Sequence, residues 1–175
     1  MGFLFISIYF IIFASWNISS EHKVSENFSF DKRTLKTYKS YTIQITNKNF
    51  VLNLNKFGIT PIKSDVFSVP NIDEKYLSYF FAGMFDGDGY VGKRKNNKPR
   101  ASLISTKEVL IFLQNYLIDN FNISETKLQR VSKNKNNVWK ISFYKDCLLY
   151  LNWIYSDKDF KYLNRKYEKY ISFIH

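Results

Sequence analysis

Two carboxylates set among glycines, Asp86-Gly87-Asp88-Gly89, close an apolar run, Phe81-Ala82-Gly83-Met84-Phe85. Leu77, Phe80, Phe81, Met84 and Phe85 recur at helical spacing, which predicts a helix. Asp73 and Glu74 near its start suit the positive pole of a helix dipole. Asp86 and Asp88 lie at the negative pole, where a carboxylate loses ~0.3–1 kcal/mol. A divalent cation with oxygen ligands would offset that loss. Gly83 and Gly87 are four residues apart and share a helix face, with Ala82 and Asp86 beside them. A face so small lets a second helix come very close. An EF-hand loop beginning at Asp86 is excluded, because Tyr90 occupies its third ligand position and Asn97 its bidentate glutamate position.

The stretch 81–89 resembles the signature of the LAGLIDADG homing endonucleases and maturases. Ala82, Gly83, Asp86, Asp88 and Gly89 match it, and Phe81, Met84, Phe85 and Gly87 are mild departures. The resemblance implies two such helices side by side at a pseudo-twofold axis. The last aspartate of each, here Asp88, would hold the catalytic metal, Mg²⁺ or Mn²⁺, helped by the backbone oxygen of Gly87. Ala82, Gly83, Asp86 and Gly87 would pack the helix pair, Asp86 as a brace rather than a ligand. The resemblance also implies a lysine near the site at the end of each repeat. Lys63, in Gly58-Ile59-Thr60-Pro61-Ile62-Lys63, and Lys166, in Tyr162-Leu163-Asn164-Arg165-Lys166, take those places. Each would polarise water or steady phosphate charge; the plain alternative for each is a solvated surface lysine.

The 175-residue chain is long enough for one domain with a sizeable core. Its formal net charge of +11 implies a polyanionic partner, nucleic acid or an anionic membrane surface. A lone cysteine, Cys147, excludes an internal disulfide and a cysteine-cluster zinc site. His22 and His175 build no nucleophilic triad. Abundant Lys, Asn, Tyr, Phe and Ile have AT-rich codons, which fits an organelle genome, a mitochondrion first, or else a chloroplast or phage.

Residues 71–175 read as one complete repeat. After the helix come strands at 90–93 and 100–104 and a capping box with Ser105 as N-cap and Glu108 at N3. A helix follows, with Val109, Leu110, Leu113, Tyr116 and Leu117 facing the core. A second hairpin, 127–131 and 138–143, leads to helices at 146–154 and 160–173. The order from Asp73 is α-β-β-α-β-β-α, which is also what the resemblance implies for one repeat. Residues 21–70 read as a partial first repeat and connector. There a strand at 41–45 and a helix ending at Gly58 resemble 139–143 and the helix after it, and 21–36 carry no clear pattern. Residues 1–20 hold no charged side chain. They are open to four readings: a signal h-region without its basic flank, a span too short for the ~20 residues a membrane needs, a decayed first motif at 10–18, or an apolar leader fused from an upstream exon.

The fold class expected is therefore α+β, with an antiparallel sheet that binds duplex DNA. Lys93, Arg94, Lys95, Lys98 and Arg100 on the first hairpin, and Lys127, Arg130, Lys133, Lys135 and Lys140 on the second, are the expected contacts. The expected reaction is metal-dependent hydrolysis of DNA, with a homodimer through Gly83 and Gly87 supplying the second acidic helix. The rivals are a DNA-binding remnant that no longer cuts and a maturase that binds intron RNA.

Overall fold

The computed structural model describes residues 24–43, 48–56, 67–131, 137–157, 159–160 and 162–175. The apolar leader 1–20, Lys63, Lys133 and Lys135 lie outside them. β1 (Val24–Asp31) and β2 (Lys36–Ile43) pair antiparallel, Val24 opposite Ile43 and Asp31 opposite Lys36. The segment 21–36, which showed no pattern by sequence, thus contains a strand and its turn. The apolar residues of β1 are few and Glu26 interrupts them, so the alternation is hard to read. α1 (Lys48–Lys56) follows.

Asp73 opens the larger unit. Its side chain accepts the Lys75 N–H at the head of a short 3₁₀ turn, Glu74–Tyr76. α2 (Leu77–Asp88) runs directly into β3 (Gly89–Lys93). A turn with Asn97 in the left-handed region (φ 60°) leads to β4 (Pro99–Ser105). α3 (Lys107–Phe121) ends on Asn122 at φ 52°. Next come β5 (Gln129–Arg130), β6 (Trp139–Phe143), α4 (Cys147–Ile154) and α5 (Asn164–Ile171). The sheet is antiparallel in the order β3-β4-β6-β5, the mixed α+β architecture expected.

The capping box is displaced by one residue. Thr106, not Ser105, is the N-cap of α3: its hydroxyl accepts the Val109 N–H at 3.4 Å and donates to the Phe67 carbonyl at 2.5 Å. A buried hydroxyl that meets both needs outcompetes Ser105, which stays in β4 opposite Trp139. Glu108 does not reach back to the cap. Its carboxylate accepts from the Asn137 amide at 2.7 Å.

α2, α3 and α4 cover one face of the sheet. Phe81, Phe85, Leu103, Leu110, Leu113, Ile141, Tyr150 and Leu151 are buried between them. The Tyr150 ring stacks on Phe143 at 4.3 Å and meets Phe85 edge-on at 5.6 Å. Its hydroxyl is buried with no hydrogen-bond partner among the described residues. Such an orphan costs ~1–3 kcal/mol, so Tyr150→Phe is expected to raise stability by about 1 kcal/mol in urea unfolding.

β1, β2 and α1 run in the same order as β5, β6 and α4. α1 has 9 residues, close to the 8 of α4 and well short of the 15 of α3.

Candidate active site and nucleic-acid interface

The C-terminal end of α2 gathers two carboxylates and one ammonium. Lys166, on α5, is buried, and its Nζ donates to the backbone oxygens of Phe85 (2.5 Å), Asp86 (3.0 Å) and Gly89 (2.5 Å). The lysine therefore puts positive charge where the helix dipole is negative and adds a donor to the backbone oxygens around the helix end, of which that of Phe85 also accepts the Gly89 N–H. That is the offset the two aspartates require, supplied from inside the chain. An ammonium has three protons, and all three are donated here. Burial, then the Arg165 charge, lowers the Lys166 pKa to about 8, against the opposing pull of Asp86 and Asp88.

Asp86 is buried. Its Oδ2 accepts the Leu163 N–H at 2.9 Å and its Oδ1 the Tyr155 hydroxyl at 3.4 Å. It ties α2 to the start of α5. Burial raises its pKa, while the Leu163 N–H, the Lys166 charge and the Tyr155 hydroxyl hold it down. Ala82 and Gly83 are buried on the same helix. Gly87 is exposed, and a Cβ built on it meets nothing within 4 Å.

Asp88 behaves differently from Asp86. Its side chain is exposed and has no hydrogen-bond or ion-pair partner among the described residues. The chain around it still withdraws enough water to raise its pKa, and only the Lys166 charge opposes this. Gly89 lets the chain leave the helix at this point, because a Cβ there would run into the ring and carbonyl oxygen of Phe85. An unpaired carboxylate beside backbone oxygens is an oxygen donor set that fits Mg²⁺ or Mn²⁺, cations that keep several waters and take one or two carboxylates. No cluster of three or more acidic, His or Cys side chains occurs among the described residues, so Asp88 supplies one part of such a site.

The sheet face turned away from the helices carries the candidate interface. Register places Tyr90, Ser102 and Ser142 in one row and Ile104, Lys140 and Gln129 in the next, with Arg100 opposite Gly92. The Arg100 guanidinium lies 4.9 Å from the Tyr90 ring centre. Of the expected cations, Arg100 and Lys140 stand on this face. Arg94, Lys95 and Lys98 form the exposed β3–β4 turn with Lys93 at its base, and Lys127 is exposed just before β5. Arg130 is exposed on the edge strand but shares its row with Trp139, on the alternate set. Gln129, Tyr90 and Ser102 were missed by sequence. Counting alternate residues along each strand would have found them.

A family model described as a LAGLIDADG-like domain matches residues 75–166, more than half of the 175. The chain belongs to the LAGLIDADG family. The match begins within the 3₁₀ turn that leads into α2 and ends at Lys166, so it takes in both ends of the ammonium-to-helix contact. No individual curated protein matches the chain. As a LAGLIDADG domain, the segment belongs among the homing endonucleases and maturases, and its αββαββ order, followed by α4 and the start of α5, sets the end of α2 against the first strand of the sheet.

Proposed function

We propose that this LAGLIDADG chain is a metal-dependent DNA endonuclease of the homing type, acting in an organelle, that lays its four-stranded sheet along duplex DNA. The observation that carries this reading is Asp88: an exposed carboxylate without a partner among the described residues, one residue from the strand that begins the basic sheet. When bound, a divalent cation supplies an activated water and neutralises charge developing on the phosphate. Asp88, with the Gly87 backbone oxygen, holds it. Lys166 keeps the helix end closed so that Asp88 stays in place. Arg94, Lys95 and Lys98 fix the duplex by its phosphates, and Gln129, Lys140 and Arg100 face base edges.

Binding is then salt-dependent. Each phosphate contact adds a slope of about −0.9 in log K against log salt. With about six contacts, affinity falls ~10³-fold between roughly 50 and 200 mM. Fluorescence anisotropy of a labelled duplex measures this, and a flat profile would remove the basic face as the DNA surface.

Cutting both strands takes a second acidic helix, and a homodimer through the exposed Gly87 end of α2 supplies one. Gly87 is the sensitive place because the free chain leaves it open. Gly87→Ala is expected to gain up to ~1 kcal/mol in the isolated chain through helix propensity, yet to weaken dimers seen by sedimentation. A gain with unchanged mass distribution would show that no second helix packs there.

A second reading, a family member that binds DNA without cutting, is favoured because no group of three or more acidic, His or Cys side chains that could hold a metal occurs among the described residues. Nicking assays with Mg²⁺ separate the two, and competition by structured RNA tests for a maturase.

A further inference from the structure

Three residues at the β3 edge of the sheet are stacked on one another. Tyr90 and Gly92 alternate on β3, so both belong to the face turned away from the helices, and Arg100 of β4 stands directly opposite Gly92. Gly92 is buried, and a Cβ built on it would run into the hydroxyl and ring edge of Tyr90. The tyrosine ring thus lies along the strand, over backbone that carries no side chain, instead of standing off it. The Arg100 guanidinium sits over that ring, 4.9 Å from its centre. Both Tyr90 and Arg100 are exposed.

A guanidinium over an aromatic face is held there by cation–π attraction, so part of its rotamer freedom is lost before any ligand arrives. Its N–H donors lie in its own plane, and a ring on one face leaves them free. The ion pairs among the described residues use Asp31, Glu26 and Asp73, so no carboxylate there takes these donors. Ser102 stands opposite Tyr90, and Ser142 opposite Ser102. Side chains this small let the edge of a base come close to the stack. Lys95 and Lys98, in the exposed β3–β4 turn, are compact charges that suit phosphate oxygens instead.

We propose that Arg100, held by the Tyr90 ring over Gly92, reads a guanine in the major groove of the target duplex. This rests on the reading of the sheet as a DNA surface and adds the base that one position selects. Guanine presents O6 and N7, two acceptors that match the guanidinium fork, whereas adenine sets an amino donor against it. The preference for guanine at that one base pair is expected to be roughly 5–150-fold. Tyr90 is the positioning residue, and Gly92 gives it the space to lie flat.

Selection of sites from a randomised duplex pool by the full chain, with Mg²⁺ omitted so that nothing is cut, tests this. The wild-type chain is expected to enrich sites with guanine at one defined position. Arg100→Gln should move that position toward adenine, because a glutamine amide matches adenine N6 and N7, and should leave the preferences at the other positions in place. Tyr90→Ala should flatten the guanine preference at the same position, while Tyr90→Phe, which keeps the ring, should retain it. Gly92→Ala should act as Tyr90→Ala does, because its methyl group displaces the ring. A loss of structure would blur every position together, so a change confined to one position marks positioning. If Arg100→Gln instead weakens all sequences alike and lowers the salt slope by about one, Arg100 holds a phosphate and the proposal is overturned. A change at a position that the wild-type chain does not fill with guanine overturns it as well, and so does full guanine preference in Tyr90→Ala. If the wild-type chain enriches no sequence at all, the reading of the sheet as a DNA surface that selects bases fails, and this inference falls with it.

Discussion

Asp88→Asn should abolish Mg²⁺-dependent cleavage while leaving duplex affinity nearly intact. The amide is almost isosteric with the carboxylate but carries no charge to hold a cation. Asp88 bonds to nothing else among the described residues, so its loss removes no visible structural contact. The helix end should even gain slightly, because a negative charge leaves the negative pole of α2. Plasmid linearisation measures cutting, and anisotropy measures binding. Cutting at wild-type rate by the variant would refute the assignment, while equal loss of binding would make Asp88 a structural residue.

Lys166→Met should be the most destabilising single change near the site, by ~3–5 kcal/mol in denaturant unfolding. The methionine fills much of the same volume but leaves the Phe85, Asp86 and Gly89 carbonyls without their shared donor, and the buried Asp86 carboxylate without its nearest positive charge. The pH dependence gives a separate signature. The folded lysine holds its proton less tightly than the unfolded one, about 8 against 10.5. Between those values the unfolded state binds more protons, so this group makes stability rise with pH. The difference between wild type and Lys166→Met should shift across that window and be level below about pH 7. An unchanged unfolding midpoint would mean that the helix end is satisfied by solvent.

The parts of this molecule legible in its sequence are those with a local period. α2 announced itself by apolar spacing, β3, β4 and β6 as arms of hairpins around polar turns, and the end of α2 by its glycines. What could not be read are contacts that join distant segments. Lys166 meets the end of α2 across about eighty positions, and no local pattern in Asn164-Arg165-Lys166 says that its ammonium is buried. The cap of α3 depends on whether Ser105 or Thr106 reaches Phe67, again a tertiary choice. β1 was hidden because half its positions are small polar residues that suit strands and loops alike. Asp86 and Asp88, two apart, look equivalent as letters. The resemblance separates them as brace and ligand, and the structure adds that Leu163 and Tyr155, from the start of α5 and the end of α4, hold the buried Asp86 while Asp88 is exposed.

No loop lies between α2 and β3: Asp88 ends the helix and Gly89 starts the strand. The group that would cut is therefore joined without a linker to the first strand of the sheet that would read bases. Exchanging side chains along β3, β4 or β6 can retune which bases are preferred, but it cannot slide the scissile bond relative to them. Descendants of such a protein should change targets freely while breaking the backbone at a constant offset from the bases that the sheet faces.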